Sequence, residues 1–238
     1  MAQNVSYNYA DRIIRYAMRD AGLLQDGDDP NSEELAENMN RLNDLIGLWV
    51  TQGLKLWTNT DLSITLIAGQ ALYTMGPSGT IVMARPMRCI GGYYLDSSNN
   101  RRPLIALSRD EYTRLANVTQ QGAINSYFWD KQQINSNVTF WLTPDSTAAT
   151  GTAHLIIQNH ITFVASLTDQ INFPDEWYMA LRWGLADDIS TGQPQSVIER
   201  CAQKAGMYRT MLEDWDTEDS STFFQPDIRT GYGYGNYR

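Results

Sequence analysis

The 238-residue chain is 42% hydrophobic and 19% charged, a balance that excludes wholesale disorder and suffices for one large domain or two small ones. Its net charge of −9 argues against a surface that holds nucleic acid through phosphate contacts. No run nears the ~18 apolar residues of a membrane span, and MAQNVSYNYADRIIR lacks the basic start and apolar stretch of a signal peptide, so the protein is expected to stay in the compartment that makes it.

From Tyr9 to Ala21 the apolar residues Ala10, Ile13, Ile14, Ala17, Met18 and Ala21 recur at three and four, and Gly22 follows as a stop. That spacing predicts a helix with one buried stripe. Asp29 before Pro30, or Asn31 with Glu34 three residues later, then offers a cap for a second helix. Leu35, Met39, Leu42, Ile46 and Trp49 share its face, Leu45 and Val50 widen it, and Gly53 ends it. The two helices read as an antiparallel pair.

After Trp57 the period drops to two. Leu62, Ile64 and Leu66 alternate with Ser63 and Thr65, and Ala68-Gly69-Gln70 separates them from Leu72–Met75, which predicts a hairpin. Further strands are expected at Met87–Leu95, Ser126–Trp129, Val138–Leu142 and Ala153–Gln158, with one short helix behind the capping box Ser108 and Glu111.

Helical spacing returns at Trp177, Ala180, Leu181, Gly184, Leu185 and Ile189, with Asp175 placed to cap. A last helix runs from Pro194 through Val197, Cys201, Ala205, Tyr208, Met211, Leu212 and Trp215. Neither helix pair can bury so wide a stripe alone, so the pairs should pack together. The expected fold is therefore α+β: an antiparallel helical bundle from residues 1–56 and 174–216, an inserted antiparallel β domain over 57–173, and an extended C-terminal arm over 217–238. The expected bundle core is Ile13, Ile14, Leu42, Ile46, Trp49, Trp177, Leu181, Leu185, Tyr208 and Trp215.

Chemistry is sparse. Cys89 and Cys201 form no CxxC pair and are expected as buried free thiols. His154 and His160 would share a face of an unbroken strand, but no carboxylate or thiol stands at a matching distance for a metal. The carboxylates Asp187 with Asp188, and Glu213 with Asp214 and Asp216, read as solvated helix faces, and the seven tryptophans read as packing rather than a sugar platform. No nucleophile elbow, phosphate loop or zinc signature occurs, and no cofactor or metal is expected.

The arm is different. It keeps Phe223, Phe224, Ile228, Tyr232, Tyr234 and Tyr237 among polar residues and glycines, too little to fold alone but more aromatic surface than a solvated linker carries. Its ~22 residues would average about 25 Å as a coil. Fully extended they reach roughly 75 Å. Glycine gives such an arm backbone freedom, and tyrosine gives it contact area at low side-chain entropy.

Taken in order, LIGLWVTQGLKLWT, LIAGQALYTMG, RPMRCIGGYYL, PLIALSRDEYTRLAN, GAINSYFWD, FWLTPDS and INFPDEWYMALRWGLADDIS resemble the landmarks of the head-to-tail adaptor proteins of short-tailed bacteriophages, also called tail tubular or packaged-DNA stabilisation proteins. The resemblance spans about residues 9 to 216; the usual acidic glycine loop after the hairpin reads GPSGTIVMARP here, and the arm has no counterpart. It implies a virion protein and not an enzyme: a homo-oligomeric ring of about twelve subunits between the portal protein and a downstream tail or nozzle protein, with packaged double-stranded DNA passing through without tight binding. The arm residues would then dock on the portal or a neighbouring subunit. A cell-wall-degrading virion protein and a carbohydrate-binding β module on a helical base are the alternatives.

Overall fold

The computed structural model describes residues 9–25, 27–51 and 56–216, and the chain is α+β. Helix α1 (Ala10–Asp20) buries Ala10, Ile13, Ile14, Ala17 and Met18, the stripe its spacing predicts. Its N-terminus has no side-chain cap. Instead Ala10 N–H donates to the Asp169 carbonyl at 3.2 Å and Asp11 N–H to the Leu167 carbonyl at 3.0 Å, so a distant loop satisfies the first orphan donors. Helix α2 (Ser32–Thr51) starts where Asn31 Oδ1 accepts from Glu34 N–H at 2.8 Å and Glu34 Oε2 from Asn31 N–H at 3.0 Å, a reciprocal cap.

A short 3-10 turn, Leu56–Thr58, leads into the strands β1 (Asn59–Thr65), β2 (Leu72–Gly76), β3 (Ile81–Val82), β4 (Arg88–Leu95), β5 (Arg101–Pro103) and β6 (Ile105–Leu107). Helix α3 (Arg109–Thr113) follows behind the expected capping box of Ser108 and Glu111. Then come β7 (Gln121–Gly122), β8 (Ser126–Lys131), β9 (Ser136–Trp141), β10 (Thr143–Pro144) and β11 (Thr152–Gln158). The described residues close with α4 (Tyr178–Ile189) and α5 (Gln195–Trp215).

The strands form a four-stranded sheet, β1-β11-β4-β5, and a five-stranded sheet, β3-β2-β9-β8-β6, with β7 and β10 pairing separately. One buried cluster draws Ile64, Tyr94, Leu155 and Ile157 from the first sheet and Tyr73, Met75, Tyr127, Val138 and Phe140 from the second, so the sheets pack face to face. Two expectations are corrected here. β1 and β2 do not form a hairpin: the turn at Gly69, with φ +80°, carries the chain from one sheet to the other, and Ile67 N–H donates to Tyr73 Oη across the step at 2.8 Å. Nor is the β region wholly antiparallel. β6 joins β8 in parallel because it arrives by crossing from β5 in the other sheet, and β3 returns parallel to β2 through the loop at 77–80.

A second cluster joins α1, α2, α4 and α5: Ile13, Ile14, Leu42, Ile46, Trp49, Trp177, Leu181, Leu185 and Cys201 all belong to it. Gly184 permits a close approach of α4 to α2; a Cβ there would stand 3.1 Å from the Trp49 ring and 3.2 Å from Leu45. Ile161, Val164, Ile171 and Phe173 also pack in this cluster, although the expected boundary assigned them to the β insertion. The stretch 161–173 is bracketed by Asn43, whose Nδ2 donates to the Val164 carbonyl at 2.9 Å while its Oδ1 accepts from Val164 N–H at 2.8 Å.

Candidate interaction surface

Of the expected core residues, Ile13, Ile14, Leu42, Ile46, Trp49, Trp177, Leu181 and Leu185 are buried, and Tyr208 is half-buried against them. Trp49, Trp57, Phe173 and Trp177 form an aromatic knot, with the Trp177 centroid 5.9 Å from Trp49, 5.1 Å from Trp57 and 5.8 Å from Phe173. Trp215 departs from expectation: it is 75% exposed. In α5 Cys201 alone is fully buried; Tyr208 and Leu212 still pack against the helical cluster, while Met207, Met211 and Trp215 stay exposed. Met207, at 47%, and Met211, at 60%, join Trp215 in a stripe spaced by four residues along that end of the helix.

The signal for this surface was present in the sequence. At about 100° per residue, Met207 and Met211 lie well off the line through Cys201, Tyr208 and Leu212, whereas Trp215 falls close to Tyr208 on that line. Counting every apolar residue of α5 into one buried stripe hid the second one. The arm residues Phe223, Phe224, Ile228, Tyr232, Tyr234 and Tyr237 follow directly but lie outside the described residues.

On the outer face of the four-stranded sheet a polar cluster forms that the spacing of the histidines did not reveal. His154 Nδ1 donates to Asp61 Oδ1 at 2.9 Å, and its Nε2 lies 3.2 Å from Thr152 Oγ1. Tyr93 Oη donates to Asp61 Oδ2 at 2.8 Å, its ring stacks on His154 with centroids 4.7 Å apart, and Arg101 covers it at 4.6 Å. The register explains the meeting: His154 faces Ser63 on one side and Tyr93 on the other, one diagonal step from Asp61. Partial burial alone would raise the Asp61 carboxyl, but the Tyr93 hydroxyl and His154 outweigh it and hold it below the usual carboxylate range. Hydroxyl, imidazole and carboxylate stand in the order used for acyl transfer, yet Tyr93 stacks on the ring and shares the carboxylate, an arrangement that ties three strands together.

His160 does not join this cluster. β11 ends at Gln158, and the His160 ring donates through Nδ1 to the Ile161 carbonyl at 2.8 Å and packs edge-on against Phe163. Among the described residues no group of three or more His, Cys, Asp or Glu side chains is placed to hold a metal ion. Asp188 pairs with Arg41 at 3.2 Å and Glu213 with Arg209 at 2.9 Å, as exposed helix faces do, whereas Asp187 is half-buried and its carboxyl is pushed up by burial and then by Asp188.

No known family model matches this chain, and no curated protein matches it.

Proposed function

We propose that the chain is a structural adaptor subunit that joins a capsid portal to a phage tail, lines part of the DNA channel and helps retain the packaged genome. In this reading α1, α2, α4 and α5 are an antiparallel bundle that carries the two sheets as an insertion, and about twelve copies form the ring. The observation that carries it is the exposed stripe Met207, Met211 and Trp215, which leads straight into the aromatic residues of 217–238. Three exposed apolar side chains one turn apart favour a contact surface over scattered surface residues. A net charge of −9 suits a channel wall that DNA must slide past without being gripped.

A cell-wall hydrolase would need a carboxyl raised into a proton-donating range beside a groove. Asp61, paired with His154, is held in the opposite direction, and Asp187, whose carboxyl burial does push up, sits in α4 beside Asp188, which pairs with Arg41.

Electron microscopy of the purified protein with and without a portal ring tests the proposal. The expected result is a twelve-fold ring below the portal in the mixture and monomers without it. Deleting from Thr217, or replacing Met211 and Trp215 by Asp, should leave a folded body that no longer joins the portal. Unchanged attachment of both variants would remove the helix end and the arm from the docking role.

A further inference from the structure

β1 is an edge strand that natural proteins would ordinarily protect. Among the described residues its only ladder is with β11, from Asn59 opposite Gln158 to Thr65 opposite Thr152, without a bulge. About half of its backbone N–H and C=O groups therefore point away from the sheet. The strand reads NTDLSIT: no proline, no lysine and one charge, Asp61, which is engaged on the sheet face with His154 and Tyr93. The usual devices against strand addition, a proline, a bulge or an edge lysine, are missing.

A groove of about 400 Å³ opens beside this edge. The consecutive residues Ser63, Ile64 and Thr65 border it, so it meets the strand at its backbone edge rather than at one face. Buried Ile64 and Tyr73 and half-buried Ile81 lie beneath, while Thr65, Thr80 and exposed Ile67 stand at the rim. An apolar floor under a hydroxyl-bearing rim fits a phenol, whose ring is apolar and whose oxygen needs a partner. The volume lies within the ~300–1,000 Å³ of small-ligand sites and has room for an aromatic side chain.

The chain's own sequence supplies a matching segment. Residues 230–237 read TGYGYGNY, and in an extended strand Tyr232 and Tyr234 fall on one face while Gly231, Gly233 and Gly235 fall on the other. Glycine is a poor strand former by itself, so such a segment gains extended order only on a template. From Trp215 to Tyr232 there are 17 residues, a span of up to roughly 60 Å.

We propose that residues 230–237 of a neighbouring copy of this chain add as a strand to the free edge of β1, seating one tyrosine in the groove between Ile64, Ile67, Tyr73 and Ile81. The donor is assigned to a neighbour on the ring reading above, in which each copy stands beside another; the span from Trp215 does not by itself choose between a neighbour and the same chain, and the isotope labels below separate the two. Each copy then offers one edge and one arm, a head-to-tail contact of the kind that closes into rings. This inference rests on the ring reading above and adds where the arm goes.

The test places a photoreactive benzoylphenylalanine at Ile67, an exposed rim position, in the full-length chain. That chain is mixed with heavy-isotope unmodified chain, assembled at high concentration or on portals, and irradiated. The expected product links position 67 to the heavy tryptic peptide 230–238, and Tyr232→Ser with Tyr234→Ser should lower its yield by about tenfold, the loss of one hot-spot contact worth about 1.4 kcal/mol. Links to the peptide of the same chain only, links elsewhere only, or no link would each overturn the proposal. Portal attachment is scored separately. Rings that bind portals without this link leave the adaptor reading intact, and the link without portal binding leaves the strand docking intact while removing the adaptor reading.

Discussion

Arg182 of α4 closes a two-pronged grip on Asp20 at the end of α1, its Nε and Nη2 donating to Oδ2 and Oδ1 at 2.5 and 2.7 Å with the side chains 21% and 14% exposed. Arg200 of α5 donates to the Asp20 backbone carbonyl at 2.5 Å, so three helices meet at one residue. Lysine cannot reproduce the fork. Arg182→Lys should cost about 1–3 kcal/mol in urea denaturation, the range of charge-assisted hydrogen bonds. A loss within ordinary surface scatter would mean that solvent substitutes fully for the fork.

Two tryptophans should separate folding from assembly. Trp177 is 2% exposed within the aromatic knot, and Trp177→Ala should cost about 3–5 kcal/mol of stability. Trp215→Ala should stay within about 0.5 kcal/mol of the parent in the same measurement. On the adaptor proposal, its effect should appear only in portal attachment, read by sedimentation of the mixture.

The depressed Asp61 carboxyl gives a signed pH dependence. A group whose folded pKa lies below its unfolded value contributes stability at pH above the unfolded value, about 3.9 for aspartate, and loses it as pH falls through the folded value. Tyr93→Phe removes one of the hydrogen bonds that hold the carboxyl down. The Asp61 titration, followed by carboxyl-carbon NMR, should move up, and acid unfolding should begin at a higher pH than in the parent.

Burial pushes both thiols up, Cys89 in β4 and Cys201 in α5, so little thiolate is present near neutral pH. Both should react slowly with a thiol reagent at pH 8 and rapidly after urea is added. Prompt labelling of half-buried Cys89 in the native protein would show that β4 opens locally.

Helical segments were the most legible part of the sequence because each pattern repeats over several turns: Ile13, Ile14, Leu42, Ile46, Leu181 and Leu185 could be placed in the core from spacing alone. The strands were legible individually but their pairing was not. The stretch from Leu62 to Met75 has the alternation and glycine turn of a hairpin, and nothing local records that β1 pairs with β11, nearly a hundred residues away. The same non-local register assembles Asp61, Tyr93 and His154, which no motif could have joined. Trp215 was misplaced for another reason: periodicity reports which residues are apolar on one line, and not where the body beneath that line ends.

The side chain of Asn43 imitates a backbone. By presenting one donor and one acceptor to Val164 it behaves as a single rung of ladder between α2 and the strap 161–173, which itself receives the chain from β11 and delivers it to α4. Tension applied along β11 would therefore be shared with α2 through this rung before it reached α4. The strap is also tied to α1, whose Ala10 and Asp11 N–H groups donate to Asp169 and Leu167, and to the helical cluster through Ile161, Val164, Ile171 and Phe173, so such a pull would be spread over two helices rather than carried by α4 alone.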